Sequence, residues 1–157
     1  MLESARTDPS TLFIGIDPVA EAMAAAANRV RREKLENALF VVAAAEALPC
    51  ELDGIAGRIT VLFPWGSLLA GVIGDGQPSI LSALRRIARP GAVLEVVINR
   101  SAERTGSNGL SEHYQLAGFN VEAMERVRVP ACYRTTWGRR VTHDSDVLQV
   151  RACATFA

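Results

Sequence analysis

Two tryptophans, Trp65 and Trp137, carry the most distinctive chemistry of this chain. Each precedes a glycine, in Phe63-Pro64-Trp65-Gly66-Ser67-Leu68-Leu69 and in Thr135-Thr136-Trp137-Gly138. The first motif follows an apolar run, Ile59-Thr60-Val61-Leu62, that reads as a buried strand. In open α/β sheets ligands bind just beyond the carboxyl ends of the strands. An indole placed there can stack on a flat ligand. The plainer alternative is that Trp65 plugs the core at a strand end. Trp137 also follows a strand-interrupting segment. If both loops lie on one carboxyl edge, the two rings can sandwich a planar group, as enzymes hold a nucleobase taken out of its stack.

Two acidic residues stand at equivalent places. Asp17 closes the apolar run Leu12-Phe13-Ile14-Gly15-Ile16, and Glu46 follows the run Ala38-Leu39-Phe40-Val41-Val42-Ala43. A strand-end carboxylate accepts both ribose hydroxyls of a nucleoside. Asp17-Pro18 is equally ordinary capping chemistry for the helix behind it. Glu46 reads either as a ligand contact or as a polar loop residue. No P-loop, nucleophile elbow or histidine-rich metal motif is present in the sequence. His113 and His143 lack a partner set and read as surface or loop histidines. Gly71, Gly74 and Gly76 read as a surface loop.

The elements that must position these residues follow from periodicity. Glu3 to Pro9 looks like the tail of a helix running into a turn. A strand over Leu12–Ile16 leads to a helix from about Val19 to Glu33. Its inner face carries Val19, Met23, Ala26, Ala27 and Val30; Arg29, Arg31, Arg32 and Lys34 form a solvated basic end. Strands are expected at Ala38–Ala43 and Ile59–Leu62. A helix is expected over Gln77–Ala88, stopped by Pro90-Gly91. The clearest buried strand is Ala92–Ile98. A polar loop over Asn99–Gly109 and a short helix over Leu110–Ala117, closed by Gly118, come next. Strands over Phe119–Val129 and Val147–Ala154 end the chain, and with no long helix between them they can pair antiparallel. The fold class is α/β, in a single domain over residues 1–157.

Bulk properties narrow the function classes. Apolar residues make up 49% of the 157, which excludes a disordered or fibrous chain. No apolar run approaches the roughly 20 residues of a membrane span. Cys50, Cys132 and Cys153 fit neither a disulfide framework nor a zinc site and read as small apolar residues in a reducing cytoplasm. The 17 basic residues balance 17 acidic ones, which argues against a general nucleic-acid binder but leaves room for a local basic patch.

Gly15-Ile16-Asp17-Pro18, Ala45-Glu46-Ala47-Leu48-Pro49, Phe63-Pro64-Trp65-Gly66-Ser67-Leu68-Leu69 and Thr135-Thr136-Trp137-Gly138 occur in an order and spacing that resembles one family. It is the aminoglycoside-resistance 16S rRNA (adenine(1408)-N(1))-methyltransferases. The resemblance runs from about residue 5 to the C-terminus, and the paired tryptophan motifs are its specific part. It implies a Rossmann-like class I methyltransferase sheet with a C-terminal antiparallel hairpin, and S-adenosyl-L-methionine as cofactor. It implies 16S rRNA of the 30S subunit as partner, with no metal. By the same resemblance, Asp17 would bind the cofactor ribose, and Ala45 and Glu46 would lie by its adenine and methionine parts. Leu62, Phe63, Pro64, Ser67 and Thr135 would line the pocket. Trp65 and Trp137 would stack on the flipped adenine, and Arg139 and Arg140 would meet rRNA phosphates. The adenine N1 would attack the cofactor methyl directly, with catalysis resting on positioning.

The sequence departs from the family pattern twice. The family's first strand and Gly-rich cofactor loop are missing, so the chain reads as N-terminally truncated. That strand would sit between those at Leu12–Ile16 and Ile59–Leu62, and its loss would remove a ladder partner from each. After Arg140 the chain turns polar and acidic, Thr142-His143-Asp144-Ser145-Asp146, where the family tends to stay basic. Two rival classes follow: a class I methyltransferase of small molecules, and a non-catalytic truncated remnant.

Overall fold

A computed structural model describes residues 1–74, 79–99, 109–128 and 146–155. Its contacts divide the chain into two units, Met1–Leu48 and Pro49–Ala157.

The first unit holds helix α1 (Leu2–Thr7), strand β1 (Phe13–Asp17), helix α2 (Ala20–Glu33) and strand β2 (Ala38–Val42). Strands β1 and β2 are parallel, with Phe13 opposite Ala38 and Asp17 opposite Val42. A parallel pair needs a crossover, and α2 supplies it. The helix ends at Lys34, in the left-handed region with φ 55°. Glu33 ties the helices together. The Arg6 guanidinium donates to its two carboxylate oxygens at 2.7 and 2.8 Å, and Arg29 adds a bond at 2.8 Å. Arg29 and then Arg6 hold the Glu33 carboxyl below the usual carboxylate range. The clasp is therefore intact at neutral pH and is lost only as pH falls through that lowered value. The Asn37 side-chain amide donates to the carbonyls of Ala5, Asp8 and Thr11, each at 3.0 Å, and so fastens the end of α1.

The second unit holds strand β3 (Ala56–Leu62), helix α3 (Gly66–Ile73), helix α4 (Ser79–Ile87), strand β4 (Ala88–Asn99), helix α5 (Leu110–Leu116) and strands β5 (Phe119–Arg128) and β6 (Asp146–Ala154). The sheet order is β3-β4-β6-β5. Strand β4 runs parallel to β3 and antiparallel to β6, and β6 is antiparallel to β5. The terminal hairpin is thus as expected. The architecture is mixed α/β. Strands β1 and β3 each have one paired neighbour among the described residues.

Strand β4 is central. Leu94, Val96 and Val97 are fully buried, and Ile98 nearly so. Leu81 and Leu84 of α4, Leu110 and Tyr114 of α5, and Phe119 and Val150 complete the core. One buried acid, Glu95, accepts a hydrogen bond from the Gln149 amide on the adjoining strand.

Several expected boundaries shift for identifiable reasons. Pro90-Gly91 does not stop a helix outside the sheet but lies inside β4. The pairing there is irregular, jumping from Ala56 opposite Ala88 to Arg58 opposite Val93, which accommodates a proline without a ladder bond. Gly71 is not in a surface loop. It is buried in α3, where an added Cβ would stand 2.5 Å from Ile80 of α4, so only glycine permits that approach of the two helices. Cys50 is exposed and Cys153 half-buried, both as free thiols, and Cys132 lies outside the described residues. No helix among the described residues is long and apolar enough to cross a membrane.

The Tyr114 hydroxyl is buried with no hydrogen-bond partner among the described residues, and burial pushes its pKa up. An orphaned buried hydroxyl costs more than its removal. Tyr114→Phe is therefore expected to stabilise the chain by about 1 kcal/mol, raising the melting temperature by roughly 2–4 °C in thermal denaturation.

Candidate active site

At the carboxyl end of β3 the backbone turns sharply. Phe63 has φ 52°, a left-handed conformation in a bulky residue. Such a residue is a genuine outlier and costs about 1–2 kcal/mol. A hydrogen bond and the burial of its side chain hold it. Its N–H donates to the Val97 carbonyl at 2.8 Å, extending the β3–β4 ladder by one step. Its side chain is buried against Val97 and Val147, with Leu62 and Val127 alongside. Burial of a phenylalanine contributes about 1.5–3 kcal/mol, enough to offset the strain. Strained residues persist where surrounding structure over-determines them, and they cluster at functional sites.

The next residue, Pro64, is buried as well. Trp65 then swings out in an extended conformation and is 77% exposed. Gly66 follows with φ 58°, and α3 begins there. Two left-handed residues therefore bracket Pro64-Trp65, one clamped in the core and one a glycine. The exposure of Trp65 overturns the alternative that it plugs the core. Ser67 lies exposed in the first turn of α3, and Leu62 is half-buried at the strand end.

The first unit offers a second strand end. Asp17 is the last residue of β1 and half-buried. Its Oδ1 accepts the Val19 N–H at 2.8 Å, so it does cap the start of α2. Its Oδ2 has no partner among the described residues. The Asp17 carbonyl accepts the Ala43 N–H at 3.2 Å, which brings the end of β2 alongside. The chain then runs through Ala43 and Ala44 into a short 3-10 turn, Ala45–Ala47. Small side chains there leave room for a flat group near the carboxylate. These residues fit the ribose and base of a nucleoside cofactor. Glu46 is exposed on the same turn.

Thr135, Trp137, Arg139 and Arg140, like His143, lie outside the described residues. Among the described residues no cluster of His, Cys, Asp or Glu could hold a metal ion. One residue that sequence reasoning set aside is not a loop histidine. His113 lies in α5, half-buried, with Nε2 2.8 Å from the Gly71 carbonyl of α3. Helical spacing placed it in α5, but no motif tied it to α3.

Each unit thus carries an α/β strand end with a distinctive residue at or just beyond it, an acid in the first and an exposed indole in the second. Comparison with known proteins makes this specific. A family model, NpmA: 16S rRNA (adenine(1408)-N(1))-methyltransferase, matches residues 1–156. The chain belongs to that family. It is 39% identical over 170 residues to the 16S rRNA (adenine(1408)-N(1))-methyltransferase of Streptoalloteichus tenebrarius, covering 94% of this chain and 77% of that protein. A match to the Escherichia coli protein of the same name is 42% identical over 98 residues, covering 60% of this chain and 44% of that one. Among solved structures, a tryptophan-to-alanine mutant of the same methyltransferase from Catenulisporales acidiphilia, with cosubstrate SAM, superimposes with a TM-score of 0.87. It is 29% identical, and the match covers 98% of this chain and 80% of that one.

The space around Gly66 is open, yet its φ is unfavourable for any side chain. Gly66→Ala is expected to cost about 1 kcal/mol through backbone strain alone, lowering the melting temperature by roughly 2–4 °C. An unchanged melting temperature would show that the turn does not require the left-handed conformation.

Proposed function

We propose that this chain transfers a methyl group from S-adenosyl-L-methionine to N1 of adenine 1408 in 16S rRNA of the 30S subunit, the modification tied by resemblance to aminoglycoside resistance. The observation that carries the reading is Trp65. A large indole is 77% exposed on a turn whose neighbours Phe63 and Pro64 are buried. An exposed ring on a fixed base is free to stack on something flat.

Stacking suits this reaction chemically. The adenine N1 lone pair lies in the ring plane, so a ring gripped by its faces leaves that edge free to attack. The bound cofactor supplies a methyl group on cationic sulfur. The N1 lone pair forms the new N–C bond, the S–C bond breaks with its pair going to sulfur, and the positive charge passes to the adenine. An indole face favours a cationic ring over a neutral one, so Trp65 assists the transition state more than the ground state. Trp137 would take the opposite face. Asp17 would receive the ribose hydroxyls, beside Ala45 and Glu46, while Leu62, Phe63, Pro64, Ser67 and Thr135 line the approach. Phosphates would meet Arg139 and Arg140. The enzyme would work in the cytoplasm, with its ribosomal substrate.

The test is incubation with 30S subunits and S-adenosylmethionine, read by primer extension across adenine 1408. The unmutated chain is expected to produce a stop there. Trp65→Ala is expected to lower the rate about 100-fold, the worth of one stacked base, with no change in melting temperature. Methylation retained in that variant would remove the stacking role. No stop with the unmutated chain would remove the reading.

A further inference from the structure

Helix α3 starts directly behind Trp65 and has eight residues, two of them glycine. An isolated helix of that length is unstable in water. Its direction, and that of Trp65 at its head, therefore depends on what grips its far end. Gly71 is where the grip is made. Its bare Cα lies against Ile80 of α4, and its carbonyl belongs to the last turn, where intrahelical partners run out. The preceding carbonyl, Ala70, is taken by the Gly74 N–H. The Gly71 carbonyl meets His113 Nε2 of α5 at 2.8 Å. The same imidazole covers Gly74, where an added Cβ would stand 3.4 Å from the His113 Cγ. The ring also meets Tyr114 edge-on at a centroid distance of 6.3 Å, and Tyr114 is fully buried. His113 is thus anchored in the core on one side and closes the end of α3 on the other.

We propose that His113 is a positioning residue for Trp65. Its Nε2–H donates to the Gly71 carbonyl, fixes the C-terminal end of α3, and so sets where the indole at the other end is held. The carbonyl can only accept, so the imidazole must carry its proton on Nε2. The helix spans about 12 Å, short enough to act as one rigid lever between the bond and the ring. With Phe63 clamping the turn from the strand side, Trp65 is fastened at both ends. The inference rests on the reading of Trp65 as the base platform, and it deepens that reading.

Two variants separate the bond from the bulk of the ring. His113→Leu keeps an apolar side chain of similar size but cannot donate. His113→Gln places an amide N–H near the former Nε2 position. In a Trp137→Phe background, the fluorescence anisotropy and acrylamide quenching of Trp65 report its freedom directly, without requiring activity. His113→Leu is expected to lower the anisotropy and raise quenching, and His113→Gln to restore both. With both tryptophans present, single-turnover methylation of 30S subunits is expected to fall 10- to 100-fold in His113→Leu, the cost of a misplaced reacting group. It should recover in His113→Gln.

Unchanged Trp65 anisotropy in a folded His113→Leu chain would overturn the proposal. Should that variant not fold, the imidazole nitrogen chemical shifts of the unmutated chain decide. A proton resident on Nε2 supports the bond, and the Nδ1–H tautomer overturns it. If Trp65 loosens while methylation continues at the unmutated rate, the tether stands and the role of Trp65 as base platform fails.

Discussion

The site depends on one strained residue. Phe63 sits in a backbone conformation that L side chains avoid, and it is held there by its own burial and by the Val97 carbonyl. A strand that simply ran on would point its next residues along the sheet. The left-handed step instead ends the strand, buries Pro64 and turns Trp65 into solvent. The strain and the burial that offsets it are of similar size, so the turn exists only because the core behind it is complete. That core reaches through Val97 to β4 and through Val147 to β6, the strand of the terminal hairpin. The far end of the chain thereby supports a turn near its middle.

The same logic divides labour within the site. Asp17 spends one carboxylate oxygen on the start of α2 and keeps the other. Its capping role and a cofactor role are compatible, because a carboxylate has several acceptor positions. Trp65, by contrast, is exposed and contributes little to packing. The proposed stacking on a nucleobase would account for that exposure, and a methyl transfer that leaves the base cationic would account for an electron-rich ring.

Much of this could be read from residues alone, and the misses have physical causes. The helix α2, the buried strand β4 and the close of α5 at Gly118 were legible because periodicity and turn chemistry agree there; Gly118 has φ 84°. The antiparallel hairpin was legible because no crossover separates its strands. Helix α3 was not. Its sequence is apolar on all sides, carries no side-chain cap and contains Gly71, a helix-weakening residue whose purpose is the approach of Ile80. Only a tertiary contact explains that glycine. Pro90-Gly91 misled for a similar reason, since the pairing irregularity that tolerates it belongs to two strands at once. His113 was missed because its partner is a backbone carbonyl 42 residues away, which leaves no trace in side-chain patterning. The motif around Trp65 was legible in full, but its exposure was decided by a dihedral angle.

The most direct test is a cryo-electron microscopy structure of the chain on the 30S subunit with a non-reactive S-adenosylmethionine analogue. Adenine 1408 is expected to be extruded from its helix, with the Trp65 indole stacked on one face and N1 turned toward the analogue. An adenine still within its helix, with Trp65 packed against ribosomal protein or RNA backbone, would contradict it.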